Sequence, residues 1–375
     1  MPEPVNPTSF ARRRRIDRRK FMAGLGAAGA LSLAGCAPGR PTADSFITSD
    51  SQLRVLNWPD YVAPGLIASS VDVDVDYSEA WADNYTGQDL FGADWDVVMP
   101  TNWLAAQLIA AGQVEPLPLE LIPNHVNVEA DYLTSGWDRG ARFHMPWQAG
   151  ITGIAYDPAL TGRELTSIED LFAADLRGRV AMIGEMREAV GLAMLANGDD
   201  PARPTPATAE AGFERLQRAG AEGQFASWGF NEFADQLRSG SVAAAMAWSG
   251  DVVQLQADRP DIRFIVPDNG AIRWFDTMVI PKGASNVRAA AMWMNNFYNP
   301  SVAAVNTSFV QYISPVIGVQ DELRAQGGES VALADNPILF PDGETRRRLF
   351  TWGGFDDADA ENDLDERFAI WAGVA

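Results

Sequence analysis

Five segments of the chain place aromatic rings beside carboxylates, at points where predicted strands run into loops or helices. Indole and phenol faces attract cations, and carboxylates form charge-assisted hydrogen bonds with ammonium groups. Together they are typical of a site for an organic cation with methylene segments, in which rings contact the chain and acids bind its charged ends. The five segments are residues 57–61, 95–103, 184–188, 247–251 and 273–276.

Each of these residues also has a structural interpretation when it is taken alone. A tryptophan is more often part of a hydrophobic core than of a ligand site. Asp60 and Asp251 could cap helices, since each stands where a helix can begin. Glu185 and Glu188 could stabilise a helix N-terminus through its dipole.

The motifs that commonly indicate catalysis or cofactor binding are missing from the sequence. His125 and His144 are its two histidines, and neither has the spacing of a zinc protease. Cys36 is the one cysteine, so disulfides and thiolate metal sites are excluded. No nucleophile elbow, P-loop or dinucleotide fingerprint is present. An enzyme is therefore the weaker class, and neither a cofactor nor a resident metal is expected.

The elements that must position these segments alternate between strand and helix. Runs rich in β-branched and aromatic residues predict strands at 53–58, 71–77, 95–99, 151–156, 180–183, 242–248, 262–266 and 275–280. Apolar spacing predicts helices at 103–111, 188–196, 207–219 and 287–297, and an amphipathic helix closes the chain. The alternation predicts an α/β architecture with mostly parallel sheets, in which ligands bind beyond the carboxyl ends of the strands.

Export is the prediction for the first 35 residues. Arg18 and Arg19 precede a short apolar stretch from Ala23 to Ala34, which resembles a twin-arginine signal. Leu33-Ala34-Gly35-Cys36 resembles a bacterial lipobox, whose cysteine is lipidated. A transmembrane anchor is the alternative, but the stretch falls short of the ~18–20 apolar residues that a spanning helix needs. Residues 36–50 are rich in Pro, Gly and Ser and predict a flexible tether.

The net negative charge of the chain disfavours some classes of ligand. The chain carries a net charge of −21, with 47% hydrophobic residues and 12 tryptophans, which support real cores. Residues 1–35 contribute +5, so the remainder carries −26. A nucleic-acid ligand is disfavoured because phosphate binding needs basic patches. The acidic surface would attract cations, although two lysines beside 27 arginines favour a general compositional bias over steering of the ligand.

The segments, taken together and in this order, resemble a known family. The resemblance rests on Asn57-Trp58-x-Asp60-Tyr61-x-x-Pro64-Gly65, on Asp96-Val97-Val98-x-Pro100, and on Trp274-x-Asp276 followed by Ile280-Pro281. They are similar to segments of the spermidine- and putrescine-binding receptors of ATP-driven importers, over about residues 53–340. The resemblance implies a bilobal α/β fold of the periplasmic-binding-protein type, which closes on its ligand without catalysis.

The resemblance also implies roles for twelve residues. Asp276 falls on an acid that pairs with an amine, and Glu188 and Glu185 fall on acids that hold a terminal amine. The aromatic positions of that pocket are matched by Trp58, Tyr61, Trp248, Trp274 and Tyr312. Asp60 falls on a further acidic position, and Asp251 on an acid of the putrescine-preferring members. Thr101 stands where a serine is usual, Trp103 replaces a tyrosine, and Pro59 removes a usual hydroxyl.

Further expectations concern domains and partners. The implied first lobe is 51–148 with 277–318 and the second is 149–276 with 319–375; the chain would cross between them near 148–152, 269–275 and 315–319. The implied partners are a polyamine, a permease with a cytoplasmic ATPase, and a membrane reached through the lipid on Cys36; a monomer without nucleic acid is expected. The anchored protein would lie on the outer face of the cytoplasmic membrane or in the periplasm.

Three alternatives remain open from the sequence. The ligand could be another cationic or zwitterionic solute, such as an amino-acid derivative or opine, whose carboxylate would bind Arg187 or Arg273. The protein could be an exported enzyme that acts on an amine or glycan. It could also be a sensor subunit that signals polyamine without feeding a transporter.

Overall fold

The computed structural model describes residues 52–68, 71–81 and 95–374 of the chain. The predicted signal segment, the tether and Cys36 lie outside these residues. Ten strands are present in the described part, and their bounds are β1 Gln52–Leu56, β2 Asp74–Ser78, β3 Val97–Val98, β4 His144–Tyr156, β5 Val180–Ile183, β6 Phe225–Gly229, β7 Ala244–Trp248, β8 Arg263–Ile265, β9 Ala271–Val279 and β10 Leu349–Phe350.

Helices cover both faces of these strands, and the longer ones carry polar caps. The side chains of Thr205 and Asn286 accept hydrogen bonds from backbone amides in the first turns of their helices. The α-helices are α1 Pro64–Ile67, α2 Asn102–Ala110, α3 Ala130–Leu133, α4 Pro158–Thr161, α5 Met186–Asn197, α6 Pro206–Ala221, α7 Glu232–Ser239, α8 Ser249–Asp258, α9 Val287–Phe297, α10 Pro300–Val310, α11 Val319–Gln326, α12 Glu329–Ala334, α13 Gly343–Arg346 and α14 Ala358–Ala372.

The strands join into one sheet with the order β2-β1-β3-β9-β4-β7-β5-β6, and β10 and β8 pair with β9 and β4. Pairs on the flanks are parallel, as in β1 with β2 and β5 with β7. The central strands β4 and β9 run antiparallel to each other and to most of their neighbours. The predicted α/β architecture is therefore confirmed, with a mixed sheet where mostly parallel pairing was expected.

Two large hydrophobic cores divide the described chain into two lobes. The first core contains β1, α9 and α10, and the second contains β5, α5 and α6. β4 and β9 contribute to both cores, because each is long enough to leave one lobe and enter the other. Met278 lies in the first core and Ile272 in the second. These two strands are therefore continuous links between the lobes.

The C-terminal part of the chain divides between the same two cores. Val319, Leu323 and Ala334 pack in the first core, whereas Leu364 and Phe368 pack in the second. Because residues that follow 318 pack in the first core, we propose that the last passage between lobes lies further along the chain than the expected boundary at residue 318. Among the described residues, no helix combines the length and the apolar character needed to cross a membrane.

Candidate functional site

Asp276 is a buried carboxylate at the centre of the cleft between the lobes. It lies on β9, and its side chain accepts hydrogen bonds from the hydroxyl of Tyr61 at 3.0 Å and from that of Thr101 at 2.8 Å. Burial raises the pKa of Asp276 to about 7, and these two donors only partly offset that effect. The three predicted residues are thus brought together, on a carboxyl group that ionises near neutral pH.

The alternation of β9 assigns its side chains to two faces. Trp274 and Asp276 share the face that looks into the cleft, and Arg273 and Phe275 lie on the other face. The guanidinium carbon of Arg273 accordingly lies 5.4 Å from the ring centroid of Tyr132, in the first lobe. Arg273 donates through Nε to the hydroxyl of Thr351 at 3.3 Å. Its charged end therefore points away from Asp276.

Four aromatic rings form a connected wall beside Asp276. The ring centroid of Trp274 lies 5.5 Å from that of Tyr312 and 6.4 Å from that of Trp248. Tyr312 in turn lies 5.8 Å from Tyr61, with the rings edge to face. All four rings were predicted as ligand-lining residues. The wall offers both ring faces and polar edges to a ligand with methylene segments and charged ends.

Two glycines allow this wall to pack against the backbone. A Cβ atom added to Gly150 on β4 would lie 2.3 Å from the Trp274 ring, and one added to Gly250 would lie 2.3 Å from the Tyr312 ring. Both distances are far below van der Waals contact. These glycines are needed for close approach, and the aromatic and acidic pattern of the sequence did not single them out for that role.

Glu188 is the second buried acid and lies in the first turn of α5. Its carboxylate accepts hydrogen bonds from the indole Nε1 of Trp248 at 2.7 Å and from the hydroxyl of Thr152. Thr152 also accepts a hydrogen bond from the indole of Trp274 at 3.1 Å. Burial, together with the negative charge of Glu185, raises the pKa of Glu188 to about 8. Sequence analysis missed Thr152, which stands within the predicted strand 151–156 and faces the cleft with Gly150.

Asp251 is the third acid and lies in the first turn of α8. The hydroxyl of Tyr312 donates to it at 2.9 Å, and the side-chain amide of Asn231 donates at 3.2 Å. Burial raises the pKa of Asp251 to about 6, although both donors act in the opposite direction. Tyr312 therefore links this acid to the aromatic wall. Asn231 was not predicted, since a lone asparagine before a helix reads as a cap.

The first predicted segment is only partly brought to the cleft. Trp58 donates through its indole to the carbonyl of Met99 at 2.9 Å, and its ring centroid lies 5.0 Å from that of Trp81. Asp60 is exposed and has a φ of 53°, and its backbone amide bonds to Glu79 at 3.2 Å. Trp58 is therefore an aromatic flank of the site, and Asp60 is not among the buried acids.

Glu185 and Trp103 contact an arginine. Glu185 caps α5 by accepting a hydrogen bond from the amide of Arg187, and it accepts a second from the Arg187 guanidinium at 3.2 Å. Burial raises the pKa of Glu185, and the positive charge of Arg187 opposes this shift. The guanidinium carbon of Arg187 lies 3.7 Å from the ring centroid of Trp103. Glu185 therefore has the geometry of a residue that stabilises a helix N-terminus, which was its structural interpretation from the sequence.

The free space beside Glu188 is small. A cavity of about 20 Å³ is bordered by Thr101, Trp103, Arg187, Glu188 and Trp274. That volume suits about one water molecule and no diamine, so a ligand can enter only when the lobes separate. A larger cavity of about 360 Å³ lies between residues 313–320 and 339–346 and borders none of the predicted site residues.

Comparison with known proteins gives consistent results at three levels. Residues 61–341 match the family described as bacterial extracellular solute-binding protein. The spermidine/putrescine-binding periplasmic protein of Escherichia coli is 27% identical over 342 residues, which cover 87% of this chain and 92% of that protein. The putrescine-binding periplasmic protein of Pseudomonas aeruginosa is 25% identical, with coverage of 86% and 91%.

Solved structures show the same fold. The substrate-binding protein of a spermidine/putrescine ABC transporter from Streptococcus pneumoniae superposes with a TM-score of 0.72 at 22% identity, and covers 86% of this chain and 99% of that one. The TpPotD lipoprotein of Treponema pallidum gives 0.72 at 20% identity, with coverage of 84% and 99%. The predicted bilobal binding-protein fold is confirmed by these superpositions.

Proposed function

The chain belongs to the bacterial extracellular solute-binding protein family, and we propose that it captures a polyamine, putrescine or spermidine, between its lobes. It then delivers the polyamine to an ABC permease with a cytoplasmic ATPase. Of the residues that sequence analysis assigned to the ligand, we propose Asp276, Glu188 and Asp251 as the acids that bind amines, with Tyr61, Trp248, Trp274 and Tyr312 as the rings that contact the methylene chain. The polyamine-binding relatives support the ligand class.

One observation carries the proposal: two buried carboxyl groups and the half-buried carboxyl group of Asp251 line one aromatic cleft without a cationic partner among the described residues. Asp276 is 4% exposed and Glu188 is 8% exposed. Within the described residues, neither of them nor Asp251 takes part in an ion pair; hydroxyl, indole and amide groups are the donors that contact them. Buried carboxylates are normally paired. A ligand with two or more ammonium groups would supply the missing charge.

The positions of the arginines favour a polyamine over a zwitterionic solute. The guanidinium of Arg273 lies on the opposite face of β9 from Asp276 and approaches Tyr132. Arg187 is bound by Glu361 and Glu185, at 2.8 and 3.2 Å. Arg273 borders the small cavity beside Glu188, but its guanidinium packs against Tyr132, so a ligand carboxylate at the centre of the cleft would meet the acids first.

The proposal extends to the location of the protein. The twin-arginine segment and Cys36 support export followed by lipid anchoring, to the outer face of the cytoplasmic membrane or into the periplasm. Relatives in Escherichia coli and Pseudomonas aeruginosa are named periplasmic binding proteins. We expect a monomer that binds no nucleic acid and presents its closed form to the permease.

Replacing Asp276 with asparagine tests the proposal. The new side-chain amide would keep an oxygen for the hydroxyls of Tyr61 and Thr101 and lose the negative charge, so the fold should persist. We expect the variant to bind putrescine or spermidine at least tenfold more weakly, about 1.4 kcal/mol, by isothermal titration calorimetry. Asp74→Asn, on the exposed edge strand β2, is the matched control. Unchanged affinity in Asp276→Asn would remove this acid from the site.

A further inference from the structure

Arg187 is a buried arginine that the proposed function does not use. Its side chain is 2% exposed, and its guanidinium carbon lies 3.7 Å from the ring centroid of Trp103. Its Nε donates to Glu361 at 2.8 Å and its Nη1 to Glu185 at 3.2 Å. Asp365 lies 3.6 Å from the same Nη1, so one aromatic face and three carboxylates surround a cation that belongs to the protein itself.

This arrangement joins the same elements that hold the proposed ligand acids. Trp103 lies in the first turn of α2, two residues after Thr101, which donates to Asp276. Glu185 is the N-cap of α5, and Arg187 and Glu188 lie in the first turn of that helix. The guanidinium therefore lies at the end of the cleft that continues from Asp276 past Glu188.

We propose that Arg187 is a built-in cation that fills the end of the cleft formed by Trp103 and Glu185, so that the ligand ends at Glu188 and is a short diamine. Glu185 and Trp103 then hold Arg187 and leave the terminal amine to Glu188. A triamine with an additional aminopropyl segment would need the space of the guanidinium and would bring a third positive charge against it. The inference rests on the proposed polyamine function and deepens it.

Arg187 leaves little room beside it at this end of the cleft. The cavity between Trp103, Arg187 and Glu188 is about 20 Å³, close to the volume of one bound water. Glu361 is itself fixed by the indole of Trp352 at 3.2 Å and by the amide of Phe355 at 2.8 Å. The carboxylate that positions Arg187 is therefore held by the second lobe, and the arginine has little freedom to move aside.

Trp103→Ala is the first test, with putrescine and spermidine as probes. Removing the indole frees its volume and takes away the ring against which the guanidinium packs, so that Arg187 no longer fills this end of the cleft and an aminopropyl segment can enter. We expect wild type to bind putrescine more tightly than spermidine. In the variant, the ratio of spermidine affinity to putrescine affinity should rise at least tenfold by calorimetry. A ratio within twofold of wild type, or a wild-type preference for spermidine, overturns the inference.

A matched pair of glutamate variants tests the same inference without opening a cavity. Glu188→Gln should weaken putrescine binding at least tenfold, whereas Glu185→Gln should change it less than threefold, because Glu185 faces Arg187. Equal losses in both variants would show that Glu185 holds the ligand and would overturn the inference alone. If wild type binds neither amine, the proposed function fails and the inference falls with it. Circular dichroism confirms that each variant is folded.

Discussion

At the scale of single residues, the three acids of the cleft are poised to release protons when the ligand binds. Burial raises the pKa of Asp251 to about 6, that of Asp276 to about 7 and that of Glu188 to about 8. A polyamine keeps its ammonium groups protonated in this range, as lysine does. Its charges favour the ionised acids, so binding near neutral pH must release protons from the protein.

This coupling predicts a binding affinity that rises with pH. Between about pH 6 and pH 8 the three acids of the ligand-free protein lose their protons. The free-energy cost of ionising them on binding therefore disappears as pH rises. We expect the dissociation constant for putrescine to fall at least tenfold across that interval. Calorimetry in buffers of different ionisation enthalpy should detect proton release on binding near pH 7. A flat pH profile without proton release would contradict the prediction.

The ligand-free protein should show the opposite trend in its stability. The folded pKa of Asp276 is raised from 3.8 to about 7, so the native state binds the extra proton and is stabilised by protonation. That contribution is present at low pH and is lost as pH rises through the folded pKa. The Asp276→Asn variant lacks this group and serves as the control. The midpoint of thermal unfolding should therefore fall less steeply with pH in the variant than in wild type.

The sequence identified most of the residues in the cleft but not the bonds that each one makes. Tyr61, Trp274 and Asp276 were predicted from aromatic and acidic residues near strand ends, and the structure brings them together. Glu185 matched the same pattern, yet its carboxylate caps α5 and binds Arg187. Glu185 and Arg187 are two residues apart at the start of α5 and bind each other. A linear pattern cannot decide whether such an acid faces a ligand or its neighbour.

At the scale of elements, β4 and β9 determine both the site and the movement of the lobes. His144 pairs with Val279 at one end of the two strands, and Thr152 pairs with Ile272 at the other. The register shifts between Pro146 and Ala149, and such bulges locally bend and twist a strand. Because Gly150 and Trp274 lie just beyond the bulge, bending here would move the aromatic wall together with the second lobe.

Alanine at Gly150 or Gly250 should damage the aromatic wall while the backbone remains acceptable. Neither glycine has a positive φ, so the effect is steric: the added methyl would meet the Trp274 or Tyr312 ring at 2.3 Å. We expect each variant to bind putrescine at least tenfold more weakly in a calorimetric titration. Gly65→Ala is the control, since a Cβ there has nothing within 4 Å. Full affinity in Gly150→Ala would mean that Trp274 does not contact the ligand.

The lobe boundary shows what the alternation of strands and helices leaves undecided. The sequence predicted where helices and strands occur, but α11 is an amphipathic helix that either core could bury. Val319 and Leu323 pack in the first core, and β10 pairs with β9 at Ala271 and Ile272. Phe340 and Leu349 also pack against the first core, whereas Phe350 packs against the second. We therefore propose that the last passage between lobes lies at Leu349–Phe350. Such choices depend on tertiary packing, which no local pattern contains.

At the scale of the whole molecule, the sheet, the cleft and the net charge all favour the capture of a cation between the lobes. One mixed sheet passes through both lobes, so closure can be transmitted by strands without loss of backbone pairing. The chain beyond residue 35 carries a net charge of −26, and an acidic surface raises the encounter rate with cations at low ionic strength. The sequence predicted the two-lobed class because length, alternating elements and family-like segments all agreed. The hydrogen bonds among the cleft residues were visible only in three dimensions.

The proposed lipid on Cys36 would keep this acidic receptor beside its permease, and export and anchoring can be separated by two variants. One acyl chain gives only marginal membrane binding, so stable anchoring needs more than one chain. Cys36→Ser should be exported and then recovered in the soluble fraction, because the residue that carries the lipid is lost. Replacing Arg18 and Arg19 with lysines should instead block the twin-arginine route and retain the precursor in the cytoplasm. Membrane fractionation of native cells, with immunoblotting, distinguishes the two outcomes. A Cys36→Ser protein that remains in washed membranes would show that something other than this cysteine holds the receptor there.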